Sequence, residues 1–253
     1  MKKINSMFFF KKKEIPLTNF FPQGFVDIHS HLLPGIDDGA KDLDESIALI
    51  EKMSSFGIKN FVTTPHILGD VYPNTPEIIK AKLKVVQKEL IKRNRTDINI
   101  KAAAEYMLDE QFLELIENDQ PLLTLKNNLV LVEMSYFSPP INLYDILFQL
   151  QLKGYKPVLA HPERYNAYHT KYNEFQKLKR AGCLFQLNLL SLTKHYGLGV
   201  QKTAEKLLKD NLYEFVGTDT HHTGHLDLLK QISNQKTLEK VKHLLEKNKA
   251  FLF

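Results

Sequence analysis

Along most of this 253-residue chain, short apolar runs rich in β-branched residues alternate with longer segments of helical period. That alternation constrains the fold more than any single motif. Strands separated by helices pair in parallel, and the helices cover the faces of the sheet. The runs at 25–28, 60–64, 99–104, 129–132, 157–160, 184–187 and 214–217 are expected to be strands. Asp42 and Glu45 have capping-box spacing ahead of Ile47, Ile50 and Met53, and Gly57 ends that helix. Thr75-Pro76 opens a long helix in which Ile79, Leu83, Val86 and Leu90 recur at spacings of four, three and four. Further helices are expected at 110–116, 143–152, 174–180 and 203–208, and over most of the chain from about Leu226. No break in composition separates these units. The reading is one α/β domain over residues 24–253, with a flexible tail at 1–23.

Composition removes several function classes. The formal net charge is +5, but Lys2, Lys3, Lys11, Lys12 and Lys13 against the single acid Glu14 leave only +1 for the remainder. A nucleic-acid footprint needs a basic stripe on the folded body, so no nucleic-acid partner is expected. The run Met7-Phe8-Phe9-Phe10 is shorter than a signal-peptide core of roughly 7–15 residues and lacks a cleavage site. No segment approaches the ~20 apolar residues of a membrane span, so the chain is not read as an integral membrane protein. The one cysteine, Cys183, excludes an internal disulfide framework and fits a cytoplasmic location. It also fails the thiol-phosphatase pattern, because the sixth residue after it is Leu189 rather than arginine.

What stands after each strand points to chemistry. The first expected strand leads into His29 and His31, the second into His66, the third into Glu105 and the fourth into Glu133. The fifth leads into His161, the sixth into Asn188, and the seventh into Asp219 and His221. An open sheet concentrates its site at one switch point, whereas a closed barrel gathers every carboxyl end around one mouth. A polar residue on each strand end favours the barrel. His29 and His31 are two apart, so on a strand both imidazoles face one side, and Asp219 and His221 repeat that spacing. Imidazoles with carboxylates and no thiolates suit zinc, manganese or iron in a non-structural site. Taken singly, His66 and His161 are more commonly satisfied polar residues. Glu105 alone reads as a helix-start carboxylate, Glu133 as a lysine partner, Asp37 and Asp38 as turn chemistry, and Asn188 as a turn or supporting residue. All these plain readings would have to hold together, at the same place on successive strands.

The successive segments "DIHSHLLPGIDDG", "TPH", "AAAEY", "LVEMS", "AHPERY" and "GTDTHH" resemble the motifs of the polymerase and histidinol phosphatase (PHP) superfamily. The chain is most similar to its bacterial manganese-dependent protein tyrosine phosphatases of capsular and exopolysaccharide synthesis, over about Gly24 to the C-terminus. The resemblance implies a distorted seven-stranded (β/α)7 TIM-like barrel and three divalent metal ions, Mn2+ first, with Fe or Zn as alternatives. It implies that His29, His31, Glu105 and Asp219 hold one ion, with Glu105 bridging to a second held by Glu133 and His161. Asp38, His66 and His221 would hold the third, with Asp38 and His66 counted among the catalytic residues. Arg164 of "HPERY" matches the family's phosphate-contacting arginine. A second arginine often follows the last Asp-x-His in such relatives. Here "HHTGHLDLLK" has none, and His222, His225 or Lys230 would have to replace it.

The implied activity is hydrolysis of phosphotyrosine on a protein, typically the tyrosine-rich tail of a membrane tyrosine kinase, in the regulation of polysaccharide synthesis. A histidinol-phosphate or other small-molecule phosphatase shares the same ligand set. The loops 67–74 and 135–141 would distinguish the two, because a wide mouth admits a protein tail and a deep pocket suits a metabolite. An amidohydrolase also begins with His-x-His but would use a carboxylated lysine or another bridging residue mid-chain. A non-catalytic metal-binding scaffold would have no need of the complete ligand set.

Overall fold

The computed structural model describes residues 15–253. The Met7-Phe8-Phe9-Phe10 run and its flanking lysines lie outside the described residues, as does the expected tail up to residue 14. From residue 15 the expectation of a tail fails. Leu17 is buried, and its N–H donates to the carbonyl of Ile232 at 2.7 Å. Leu17 is one of the apolar side chains of the main core, so the packed body begins before Gly24.

Among the described residues there are nine short strands: β1 (Val26–Asp27), β2 (Asn60–Thr63), β3 (His66–Ile67), β4 (Asn99–Ala102), β5 (Glu105–Met107), β6 (Leu129–Glu133), β7 (Lys156–Ala160), β8 (Leu184–Asn188) and β9 (Phe215–Gly217). Every pairing between them is parallel. They form a three-stranded sheet, β1-β2-β4, and a six-stranded sheet, β3-β5-β6-β7-β8-β9. Seven of the nine occupy the expected runs. The other two, β3 and β5, continue β2 and β4 after the interruptions at Thr64-Pro65 and Ala103-Ala104, and pair with each other through His66 and Glu105. Proline has no N–H to give a ladder, so a strand running through Pro65 has to break there. Glu105 therefore lies within a strand of its own rather than just past the end of one.

The two sheets are stitched together. Ser30 makes an isolated parallel bridge with Thr220. Asp219 N–H donates to His29 O at 2.7 Å, and His31 N–H donates to Thr220 O at 2.9 Å. Buried Asp27 accepts from the backbone N–H of Thr218 at 2.9 Å and from its hydroxyl at 2.8 Å. On the other side, Ala103 N–H donates to Thr63 O and Glu105 N–H to Pro65 O. The sheet thus curls in the manner of a TIM-like α/β fold. Side chains alternate across it: Val26, Ile28, Val62, Ala103, Leu131, Val158 and Ala160 form one apolar cluster. Their strand neighbours Phe25, Phe61, Val130, Val132, Leu159 and Phe185 join the larger core shared with the helices.

Among the described residues there are eight α-helices: α1 (Leu43–Ser55), α2 (Pro76–Lys92), α3 (Glu110–Glu117), α4 (Leu143–Leu152), α5 (Asn173–Arg180), α6 (Leu198–Lys209), α7 (Thr223–Leu229) and α8 (Gln235–Lys247). The expected cap forms, with Glu45 N–H donating to Asp42 Oδ1 at 2.9 Å, but the Glu45 carboxylate accepts from Lys41 N–H at 3.0 Å, one residue before the cap. Helix α6 begins at Leu198, before the expected start at 203, because Gly199 and Gln201 hide its apolar period. The C-terminal helical stretch divides into α7 and α8.

Candidate metal centre

The carboxyl ends of the strands deliver a dense polar cluster. His29, His31, Glu105, Glu133, His161 and Asp219 are all buried there, with His66 at the margin. The backbone has to bend unusually to present two of them. His161 sits at φ +35° and Asp219 at φ +51°, in the left-handed region that most non-glycine residues avoid. Close packing sets two glycines. A Cβ on Gly217 would collide with Cβ of His29, and a Cβ on Gly39 with the carbonyl of His31. Each histidine of the first motif thus has backbone packed directly against it.

The donor atoms converge. His29 Nε2 lies 3.1 Å from Glu105 Oε2, 3.3 Å from Asp219 Oδ1 and 3.4 Å from His31 Nε2. His31 Nε2 lies 3.5 Å from Glu105 Oε2 and 3.4 Å from Asp219 Oδ1. His161 Nε2 stands 3.0 Å from Glu105 Oε1. Asp38 Oδ1 is 3.4 Å from Nε2 of both His66 and His221. His66 Nδ1 is 2.9 Å from Glu133 Oε1 and 3.3 Å from Glu105 Oε2. All nine residues expected as ligands fall within four overlapping groups that could hold an ion, and Glu105 belongs to two of them.

Three observations fit this set to metal ions. The spacings are those of a coordination polyhedron, since ligand bonds of about 2.1 Å in a tetrahedron place the ligand atoms about 3.4 Å apart. The far ring nitrogens are engaged as donors: His29 Nδ1 donates to Gln186 Oε1 at 2.8 Å, His31 Nδ1 to Asp37 Oδ2 at 2.8 Å, and His221 Nδ1 to Asp219 O at 2.9 Å. Each of those rings therefore turns its Nε2 toward the cluster, as a metal-binding histidine does. Finally, buried His66 Nδ1 lies 2.9 Å from Glu133 Oε1 but makes no hydrogen bond. Nitrogen and oxygen lie side by side at His66, as two ligands of one cation would.

The electrostatics demand positive charge. Burial pushes the His29 imidazolium down, but the carboxylates of Glu105 and Asp219 outweigh it and carry the group up to about 9. Burial likewise opposes ionisation of Asp219 and Glu105, yet His29 and its neighbours hold both well below the ordinary carboxylate range. In the ion-free protein these carboxylates hold protons on imidazole. Divalent cations would release those protons and take their place.

Arg164 leaves the same rim. Its Nη1 donates to Asp219 Oδ2 at 2.9 Å, and Asn188 Nδ2 donates to that same oxygen at 2.7 Å. Asp219 Oδ1 is thereby left facing the histidines. The guanidinium lies between two rings, 4.5 Å from the centroid of Tyr136 and 4.2 Å from that of Tyr196. Burial opposes its charge, but Tyr136 and Asp219 raise its pKa further, so it is permanently cationic. A pocket of about 910 Å³ opens above, lined by Arg164, His66, Glu133 and Asp219. Of the possible replacements for a second arginine, His222 and His225 line this pocket. Lys230 does not, and instead pairs with Asp227 at 2.9 Å. Cys183 lies elsewhere, buried in the core, with its thiol pushed up to about 12 by burial.

Several functional residues escaped the sequence reading. Asp37 is more than turn chemistry, because it orients His31 and also accepts from the N–H groups of Gly39 and His66. Gln186 orients His29. Its one available signal was a polar residue two before Asn188 on a strand, hence on the same face. Tyr136 and Tyr196 carried no signal, since they meet Arg164 only through the fold.

A family described as capsular polysaccharide synthesis, CpsB/CapC, matches residues 25–249. The putative tyrosine-protein phosphatase CapC of Staphylococcus aureus is 31% identical over 215 residues, covering 85% of this chain and 84% of the relative. The tyrosine-protein phosphatase YwqE of Bacillus subtilis is 29% identical over 197 residues, covering 78% of this chain and 77% of its own. A crystal structure from work on YwqE of Bacillus subtilis and CpsB of Streptococcus pneumoniae, described as unique metal-dependent tyrosine phosphatases, superposes with a TM-score of 0.79. It is 28% identical and covers 90% of this chain and 93% of the other.

Proposed function

Because the chain belongs to the CpsB/CapC family of capsular polysaccharide synthesis, we propose that it is a metal-dependent protein-tyrosine phosphatase working through three divalent ions, manganese first. The observation that carries this reading is the convergence of nine nitrogen and oxygen ligands beneath a single stacked arginine. His29, His31, Glu105 and Asp219 would hold one ion. Glu105, Glu133 and His161 would hold the second, and Asp38, His66 and His221 the third. Iron or zinc would suit the same donors. The pairs β2/β3 and β4/β5 are read as interrupted strands of a distorted seven-stranded barrel.

When bound, the ions supply Lewis-acid neutralisation of phosphoryl oxygens and activation of water near neutral pH. The chain does the positioning. Asn188 and Arg164 fix one oxygen of Asp219, so its other oxygen points at the histidines. Tyr136 and Tyr196 hold the guanidinium flat. Only one of its donors is spent on Asp219 among the described residues, leaving others for the phosphoryl group. His222 and His225 stand on the pocket wall where the second arginine is missing, but burial, with His222 and His221 beside it, pushes His225 down to about 4, so that ring offers a neutral hydrogen bond and no charge. A phenolate with a pKa of about 10 is a fair leaving group, so little general-acid help is needed.

The substrate is a phosphotyrosine protein, with the tail of a membrane tyrosine kinase as the family implies, and the setting is cytoplasmic. Among the described residues no helix is long and apolar enough to cross a membrane. The test is turnover by metal-loaded protein of phosphotyrosine peptides and histidinol phosphate in parallel. Preferred turnover of the peptides is expected, and hydrolysis of histidinol phosphate alone would overturn the proposal.

A further inference from the structure

The mouth of the pocket is apolar on one side, and the apolar surface does not stop there. Phe137 and Ile141 line the pocket yet are 94% and 108% exposed. Helix α4 starts two residues after Ile141. Its inner face is buried through Leu143, Ile146, Leu147 and Leu150. Its outer face carries Tyr144, Phe148 and Leu152, all exposed and spaced four apart. That spacing places them in one row along the helix. A surface helix ordinarily turns charged and polar groups outward. Single exposed apolar residues need no explanation, but a continuous row running out of a catalytic pocket does.

We propose that this row, from Phe137 and Ile141 along Tyr144, Phe148 and Leu152, is the docking surface for apolar residues flanking the phosphotyrosine of a protein substrate. The inference rests on the phosphotyrosine reading above. The occupant follows from continuity. A phosphotyrosine seated over the ligand cluster leaves its peptide at the pocket mouth, and the apolar exit from that mouth is this row. The reach also fits. The ten helical residues Leu143–Leu152 span about 15 Å, the length of about four extended peptide residues. A small phosphomonoester would leave the row bare. It therefore sets specificity between proteins and metabolites and does not touch the reacting atoms.

The test uses the metal-loaded full chain and two synthetic phosphotyrosine peptides of equal charge, with five flanking residues on each side. One has leucine and isoleucine flanks, the other serine and glycine. The wild type is expected to favour the apolar-flanked peptide about tenfold in kcat/KM. Phe148→Ser with Leu152→Ser should abolish that preference while p-nitrophenyl phosphate turnover is unchanged. Both positions are exposed, so folding is not at stake. Retention of the preference in the double variant would overturn the inference and leave the phosphatase reading standing. So would a fall in particle mass by light scattering with the preference intact, since the row would then join two copies of the chain. A wild type that hydrolyses p-nitrophenyl phosphate but neither peptide would overturn both.

Discussion

The two ends of the curled sheet are built from the same strands and behave oppositely. Within the sheet, Val26, Ile28, Val62, Leu131 and Val158 pack on one another, with Phe251 and Leu125 against them. That region is complete in itself, because apolar groups satisfy each other without a ligand. At the carboxyl ends of the strands, five imidazoles and four carboxylates are crowded at 2.9–3.5 Å. Hydrogen bonds among them do not satisfy every polar atom, since buried His66 Nδ1 makes none despite lying beside Glu133. One end stores stability, and the other gathers groups that could hold cations. The comparison shows why ligand residues can crowd together here. The apolar half fixes the backbone, so the polar half can be held in an arrangement unfavourable without ions.

Substitutions at the two ends should therefore separate activity from folding. His29→Ala or Asp219→Ala, with metal supplied, is expected to lower phosphatase turnover by about a thousandfold or more, since the charge chemistry of the ions would be lost. Far-ultraviolet circular dichroism should remain that of the wild type. Full activity in either variant would show that the site is misplaced. The opposite pattern is expected for Leu131→Ala in the apolar end. It should cost about 2–5 kcal/mol in denaturant unfolding, with the metal content of the folded fraction unchanged. A drop in metal stoichiometry there would show that the two ends are not separable. A smaller effect is expected at the boundary. Asp37→Asn keeps the shape but weakens the carboxylate that orients His31, and should weaken ion binding by about 10–100-fold in titration calorimetry. Unchanged affinity would return Asp37 to the role of a turn residue.

Much of this was legible from local pattern. The seven apolar runs, the capped helix after Asp42 and the long helix after Thr75 each follow from short-range rules, and the structure carries all of them. The nine polar positions at strand ends were visible because a parallel sheet sends all its carboxyl ends the same way. The breaks at Pro65 and Ala103-Ala104 were less visible. They divide two strands in a way that periodicity over so few residues does not register. The packing of Leu17 against the loop at Ile232 was missed because its partner lies more than two hundred residues away.

By itself, the sequence determined the order of elements, the types of polar residue that follow the strands and the end of the sheet on which they stand, since these depend on neighbours in the chain. The tertiary structure decided which atoms share a centre, that Asp37 and Gln186 aim the histidines, and that two tyrosines clamp Arg164. It also set Phe137 and Ile141, just ahead of α4, on the pocket wall. These depend on distances between residues remote in sequence, which are fixed only when the whole sheet curls and packs.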